Sequence, residues 1–184
     1  MSIKGLEQAI ANLNSISEKA VPRASAQSVN RIAGQAVNRS VSVVSKSTRV
    51  PRKLVKQRAR IRRATVSKPR AIIRVNRGNL PAIKLGTASV RLSRRKRDKS
   101  GASSVLRIGP FRFPGAFIQQ LANGRWHVLR RTTRNRYPIE VVSIPLAVPL
   151  TEAFRAELPR LMDERMPEVM WQNLQNQLRL ILSR

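Results

Sequence analysis

Between Lys19 and Ile139 the chain carries 31 lysines and arginines and a single acid, Asp98. Residues 1–18 hold one base and two acids, and residues 140–184 hold five bases and six acids, so each end sits near neutrality at −1. The sum is +28 over 184 residues. A solvated surface normally mixes signs, because like charges held close together oppose the compact state. A middle segment this one-sided implies a polyanion close by. Nucleic acid is the simplest choice, and an acidic protein surface is the other reading. The neutral ends are left for packing and for protein interfaces, where buried charge is disfavoured.

The remaining composition removes whole classes of function. There is no cysteine and one histidine, His127, so a disulfide frame, a thiolate metal site and a multi-histidine site are all excluded. No apolar run approaches the length of a membrane span. The start, Met1–Glu7, lacks the apolar stretch of a signal peptide, which predicts that the mature protein is the whole chain. Aromatic residues make up 4%, so the core must be mainly aliphatic.

Hydrophobic spacing predicts an α+β chain. Ile3, Leu6, Ile10, Leu13 and Ile16 recur at helical steps, and the spacing resumes after Pro22 through Ala26, Val29, Ile32 or Ala33, Ala36 or Val37, Val41 and Val44. The first stripe reads as a helix packed on the rest of the domain. Thr48-Arg49-Val50-Pro51 is a helix-start signal, and Arg52–Arg63 reads as a short basic helix. From Ala64 the texture becomes β-prone: Ala71–Val75, an edge strand at Leu80–Leu85, Val90–Leu92, Val105–Ile108 and Trp126–Arg131 are expected strands. Residues 93–104 are expected to form a long basic loop. A final helix is expected from about Glu152, capped by Thr151 and bent or split by Pro159 and Pro167. The predicted fold is one domain over 1–184. Its small antiparallel sheet is flanked by an N-terminal helical region (1–47) and a C-terminal helix (151–184), with the basic helix, strands and loop between (48–150).

Nothing in this pattern suggests catalysis. The acids Asp163, Glu164 and Glu168 sit at helical spacing beside Arg160 and Arg165. Glu140 and Asp98 are the only acids near the strands, too few for a two-metal nuclease. No phosphate loop or nucleophile elbow occurs, and His127 reads as structural. The expectation is therefore a non-enzymatic protein with no metal, cofactor or small-molecule substrate. Charge spread over helix, strand and loop alike suits sequence-independent phosphate contact with duplex DNA rather than base reading. Candidate contacts are Lys53, Lys56, Arg58, Arg60, Arg62 and Arg63, and in the loop Arg94, Arg95, Lys96, Arg97 and Lys99. Candidate protein-interface residues are Phe117, Ile118, Trp126, Leu174 and Leu178.

Several blocks in fixed order carry a family resemblance. They are Ile3–Ala9, Arg52–Lys56 with Arg58-Ala59-Arg60, Val75–Gly78 with Leu80-Pro81 and Ile83–Gly86, and Pro114–Leu121. Asn123–Val128, Asn135–Ile139 and Pro145–Leu150 complete the set. Together they resemble the minor tail protein Z family of lambda-like phages, nearly end to end, with a shorter stretch at 99–104 than that family's. The resemblance implies a non-enzymatic tail completion protein acting at the head-proximal end of a long tail. It implies a homo-oligomeric ring, sixfold by analogy with neighbouring tail components. It also implies contacts with a tail terminator or tail-tube protein and with a head-connector protein, location in the virion, and assembly in the host cytoplasm. Genome double-stranded DNA would pass the basic residues. Two rival readings are a free nucleic-acid-binding protein or assembly factor not retained in the particle, and a nuclease using Glu140 or Asp98.

Overall fold

The computed structural model describes residues 3–91, 105–133 and 137–182. These residues combine helices with small antiparallel sheets, the α+β class that the spacing predicts. The chain divides into two compact units. One comprises residues 1–43, 59–76 and 150–184; the other comprises 44–58 and 77–149.

The first unit is built on long helices. Helix α1 (Ile3–Ser15) runs through a π-helical turn (Ile16–Ala20) into α2 (Val21–Thr48), and α4 (Ala147–Leu182) closes the chain. Helix α2 and helix α4 run antiparallel, because ascending positions on one meet descending positions on the other. Ser28 Oγ accepts from Asn173 Nδ2 at 2.9 Å while donating to the Ala24 carbonyl at 2.7 Å. Arg31 Nη1 donates to Gln172 Oε1 at 3.1 Å, and Arg39 lies 4.0 Å from Glu157. Between these polar contacts, buried Ile32 and Ala36 pack on Leu161 and Val169, with Ile73 and Met166 against them.

Two expectations for α4 are corrected. The helix begins at Ala147 rather than near Glu152, so Thr151 lies inside it. Pro149 then occupies the first turn, where its missing N–H costs nothing. Nor is the helix split: Pro159 and Pro167 both lie within one unbroken element. They leave the Arg155 and Asp163 carbonyls without their i+4 donors, and both of those residues are exposed, so water can serve instead.

The first unit also holds a two-stranded ladder, β1 (Ala59–Arg62) with β2 (Ile72–Val75). Helix α2 fixes it through one side chain. Asn30 Nδ2 donates to the Ala64 carbonyl at 2.9 Å, and Asn30 Oδ1 accepts from the Ala64 N–H at 2.7 Å. Ala64 is buried, so losing this clamp strands two backbone groups. Asn30→Ala should cost about 2 kcal/mol, read as a lower urea midpoint. A midpoint unchanged from wild type would show that the clamp is replaced by water.

The second unit is mostly sheet. It contains α3 (Arg52–Lys56), β3 (Leu80–Pro81), a 3-10 turn (Ala82–Leu85) and β4 (Ala88–Arg91). Next come β5 (Val105–Ile108), β6 (Phe111–Pro114) and β7 (Ala116–Gln120), followed by β8 (Trp126–Arg131), β9 (Ile139–Val141) and β10 (Ser143–Ile144). Three antiparallel sheets result, ordered β4-β5-β6, β7-β8-β9 and β10-β3. The edge strand expected over Leu80–Leu85 is corrected to two strand residues followed by the 3-10 turn. Buried Ala82 then joins Leu106, Ile108, Ala116 and Val128 in the core. The β5–β6 hairpin turns through Gly109-Pro110, with φ 55° at Gly109. That positive first position is what a type II′ hairpin turn demands and what a Cβ would oppose.

Candidate nucleic-acid interface

The basic segment 52–63 is corrected from a single helix to a short helix followed by a strand. Helix α3 buries Val55 and leaves Arg52, Lys53 and Lys56 exposed. It ends at Gln57, and Arg58 turns back to donate from Nη2 to the Asn79 carbonyl at 3.1 Å. A continued helix would stack Arg58 on Arg62 at i, i+4, a repulsive pairing. In the strand, Ala59 and Ile61 instead turn inward, opposite Val75 and Ile73, while Arg60 and Arg62 turn out. Arg63 is exposed just beyond.

Cross-strand register makes the outer face of this ladder unusual. Arg60 stands directly opposite Arg74, and Arg62 lies two residues along the same face. Like charges placed opposite one another destabilise a ladder. The second unit repeats the device. Arg107 on β5 stands opposite Arg112 on β6, while the other face of the same strands carries Leu106 and Ile108 paired with Phe113 and Phe111. The two phenylalanine rings stack with centroids 6.2 Å apart. Apolar burial on one face thus holds two guanidiniums together on the other.

No ion pair among the described residues engages Arg60, Arg62, Arg74, Arg107 or Arg112. Glu140 is bound at 2.7 Å by Arg130, its cross-strand neighbour. Spacing alone missed Arg74, Arg107 and Arg112, since each is an isolated basic residue in an apolar strand. The signal was alternation: each is flanked on both sides by residues of the inner face.

The candidates therefore fall in different places. Lys53, Lys56 and Arg58 belong to the second unit, and Arg60, Arg62 and Arg63 to the first. Arg94, Arg95, Lys96, Arg97 and Lys99 lie outside the described residues. Of the interface candidates, Trp126 is 56% exposed on β8. Phe117 is half-buried under the Arg131 guanidinium, 5.9 Å from its ring centre. Ile118 packs against the core of its unit. Leu174 and Leu178 are half-buried on α4. His127 is half-buried on β8 with its Nδ1 unpartnered. No cluster of three or more His, Cys, Asp or Glu residues occurs among the described residues. No described helix is long and apolar enough to cross a membrane.

Helical ends, small antiparallel sheets and arginine-bearing outer faces define a basic α+β protein with guanidiniums gathered on the exposed faces of its ladders. The chain belongs to the prophage minor tail protein Z family, which it matches over residues 3–184. It is 79% identical to the tail completion protein of Escherichia phage N15 over 184 residues, all of both chains. It is 55% identical to tail completion protein Z of Escherichia phage lambda over 192 aligned positions, again all of both chains. No solved structure matches it.

Proposed function

We propose that this chain is a non-enzymatic structural protein of the virion that completes the head-proximal end of a phage tail. As a ring, six copies by analogy, it touches genome duplex DNA without reading its sequence. Its protein neighbours are a tail terminator or tail-tube protein on one side and a head connector on the other, and the chain acts as a single tail-completion domain. The observation that carries the DNA contact is the pair of like-charged cross-strand couples, Arg60–Arg74 and Arg107–Arg112, held in register with no carboxylate partner among the described residues. Such couples are unfavourable alone and become favourable when a phosphodiester lies between them, with release of condensed counterions adding to the gain. Exposed guanidiniums grip by charge alone, so duplex can slide past during delivery.

Imaging of the head–tail junction tests the whole reading. The expected result is a ring at the tail top with arginines turned to a DNA-filled lumen. A ring whose arginines meet acidic neighbouring subunits would replace DNA by protein as the polyanion. Absence from purified virions would overturn the structural role in favour of an assembly factor. Tails made without the chain should be non-infectious, and full infectivity of such tails would refute completion.

A further inference from the structure

Helix α1 is presented the wrong way round for a surface helix. At 100° per residue Leu6, Ile10 and Leu13 fall within about 60° of one another, and Gln8, Asn12 and Ser15 lie on the opposite side. The polar side is the one that faces the protein. Gln8, Asn12, Ser15 and Lys19 line a cavity of about 410 Å³ together with Gln177, Leu180 and Ile181 of α4. The apolar side faces out, with Leu6 65%, Ile10 50% and Leu13 65% exposed. This corrects the expectation that the stripe packs on its own domain.

The same unit has an open apolar groove of about 510 Å³ elsewhere. Val29, Ile73, Phe154 and Leu158 line it, and two exposed arginines, Arg70 and Arg155, line it as well. Its volume lies in the range that accepts a group of several aliphatic side chains. The groove cannot be filled by α1 of its own chain. From Leu158 in the groove to Gln177 beside α1, a rise of 1.5 Å per residue along α4 gives about 28 Å.

We infer that α1 of one copy seats Leu6, Ile10 and Leu13 in this groove of the next copy. The inference rests on the ring reading above and specifies its contact. Charge decides which segment of a second copy can occupy it. Two chains of +28 repel through their basic middles. Residues 1–18 carry −1, with Glu7 exposed beside the stripe, so this is a segment that can approach Arg70 and Arg155 at an electrostatic gain. Because donor and acceptor surfaces lie at different places on one chain, the contact is head-to-tail, the kind that closes rings.

The chain has no cysteine, so introduced thiols report the contact without background. Two doubly substituted variants, Ile10→Cys with Leu158→Cys and Leu13→Cys with Met162→Cys, guard against poor disulfide geometry at one pair. Tails carrying either should give, on mild oxidation, a ladder of linked copies up to the ring number, while each single substitution stays monomeric. Dimers from Ile10→Cys alone would show that two stripes meet each other, overturning the inference. Linkage to a different tail protein would overturn it too. No ladder from particles in which the chain is multicopy would overturn the docking and leave the ring. A single copy per particle would overturn both.

Discussion

Leu161→Ala is expected to lower the unfolding free energy by about 2–5 kcal/mol, the range for a fully buried leucine truncated in a packed core. Leu161 is fully buried and contributes to the contact of α2 with α4 alongside Ile32, Ala36 and Val169. It lies two residues beyond Pro159, where the helix ladder has lost a bond. Side-chain packing therefore carries more of the local order there than in an ordinary helix turn. For a chain of this size each kcal/mol shifts the melting temperature by roughly 2–4 °C. Leu158→Ala, at a position 37% exposed, is the control and should cost much less. Urea unfolding followed by far-ultraviolet circular dichroism gives both numbers. Equal costs for the two variants would mean that the α2–α4 contact collapses around a truncation at Leu161.

Replacing Arg60, Arg62, Arg74, Arg107 and Arg112 together by glutamine should weaken binding to random-sequence duplex DNA and flatten its salt dependence. If each contacts one phosphate, the slope of log K against log salt should become shallower by about 4 to 5. The fold should not suffer, because the substitution relieves two repulsive cross-strand couples. That combination separates a binding role from a structural one: affinity falls while the unfolding midpoint holds or rises. Anisotropy titrations from low to physiological salt decide it. A wild-type slope in the variant would remove these arginines from the interface. Absence of binding by the wild-type chain would remove the DNA contact altogether.

Much of this was legible in the sequence because it depended on periodicity. Strands at Ile72–Val75 and Val105–Ile108 follow β-branched positions near turn residues, Trp126–Arg131 follows the Asn123-Gly124 turn, and the long helices follow three- and four-residue spacing. The segment 52–63 was not, because Leu54, Arg58 and Ile61 fit a helical period as well as Ala59 and Ile61 fit an alternation of two. Pairing with β2, thirteen residues downstream of Ala59 at Ile72, decided between them. The prolines of α4 do not split it, although local propensity opposes them, because packing along α2 outweighs it. Charge counting found the basic middle but not the cross-strand arginine couples within it. Arg74, Arg107 and Arg112 matter only through which residue stands across the ladder, and that is a property of register.

The length of α4 acts as a ruler for any assembly built from the α1 contact. With about 28 Å between the donor and acceptor points on each copy, the number of copies fixes the circumference, and six such steps arranged as a regular hexagon lie on a circle about 56 Å across. An insertion of one helical turn between Leu158 and Gln177 lengthens each step by about 5.4 Å and widens that circle by twice as much. In a ring closed through that contact, the spacing of the copies would be written into one helix of a single chain, and lengthening that helix would rescale the ring without altering either contact surface.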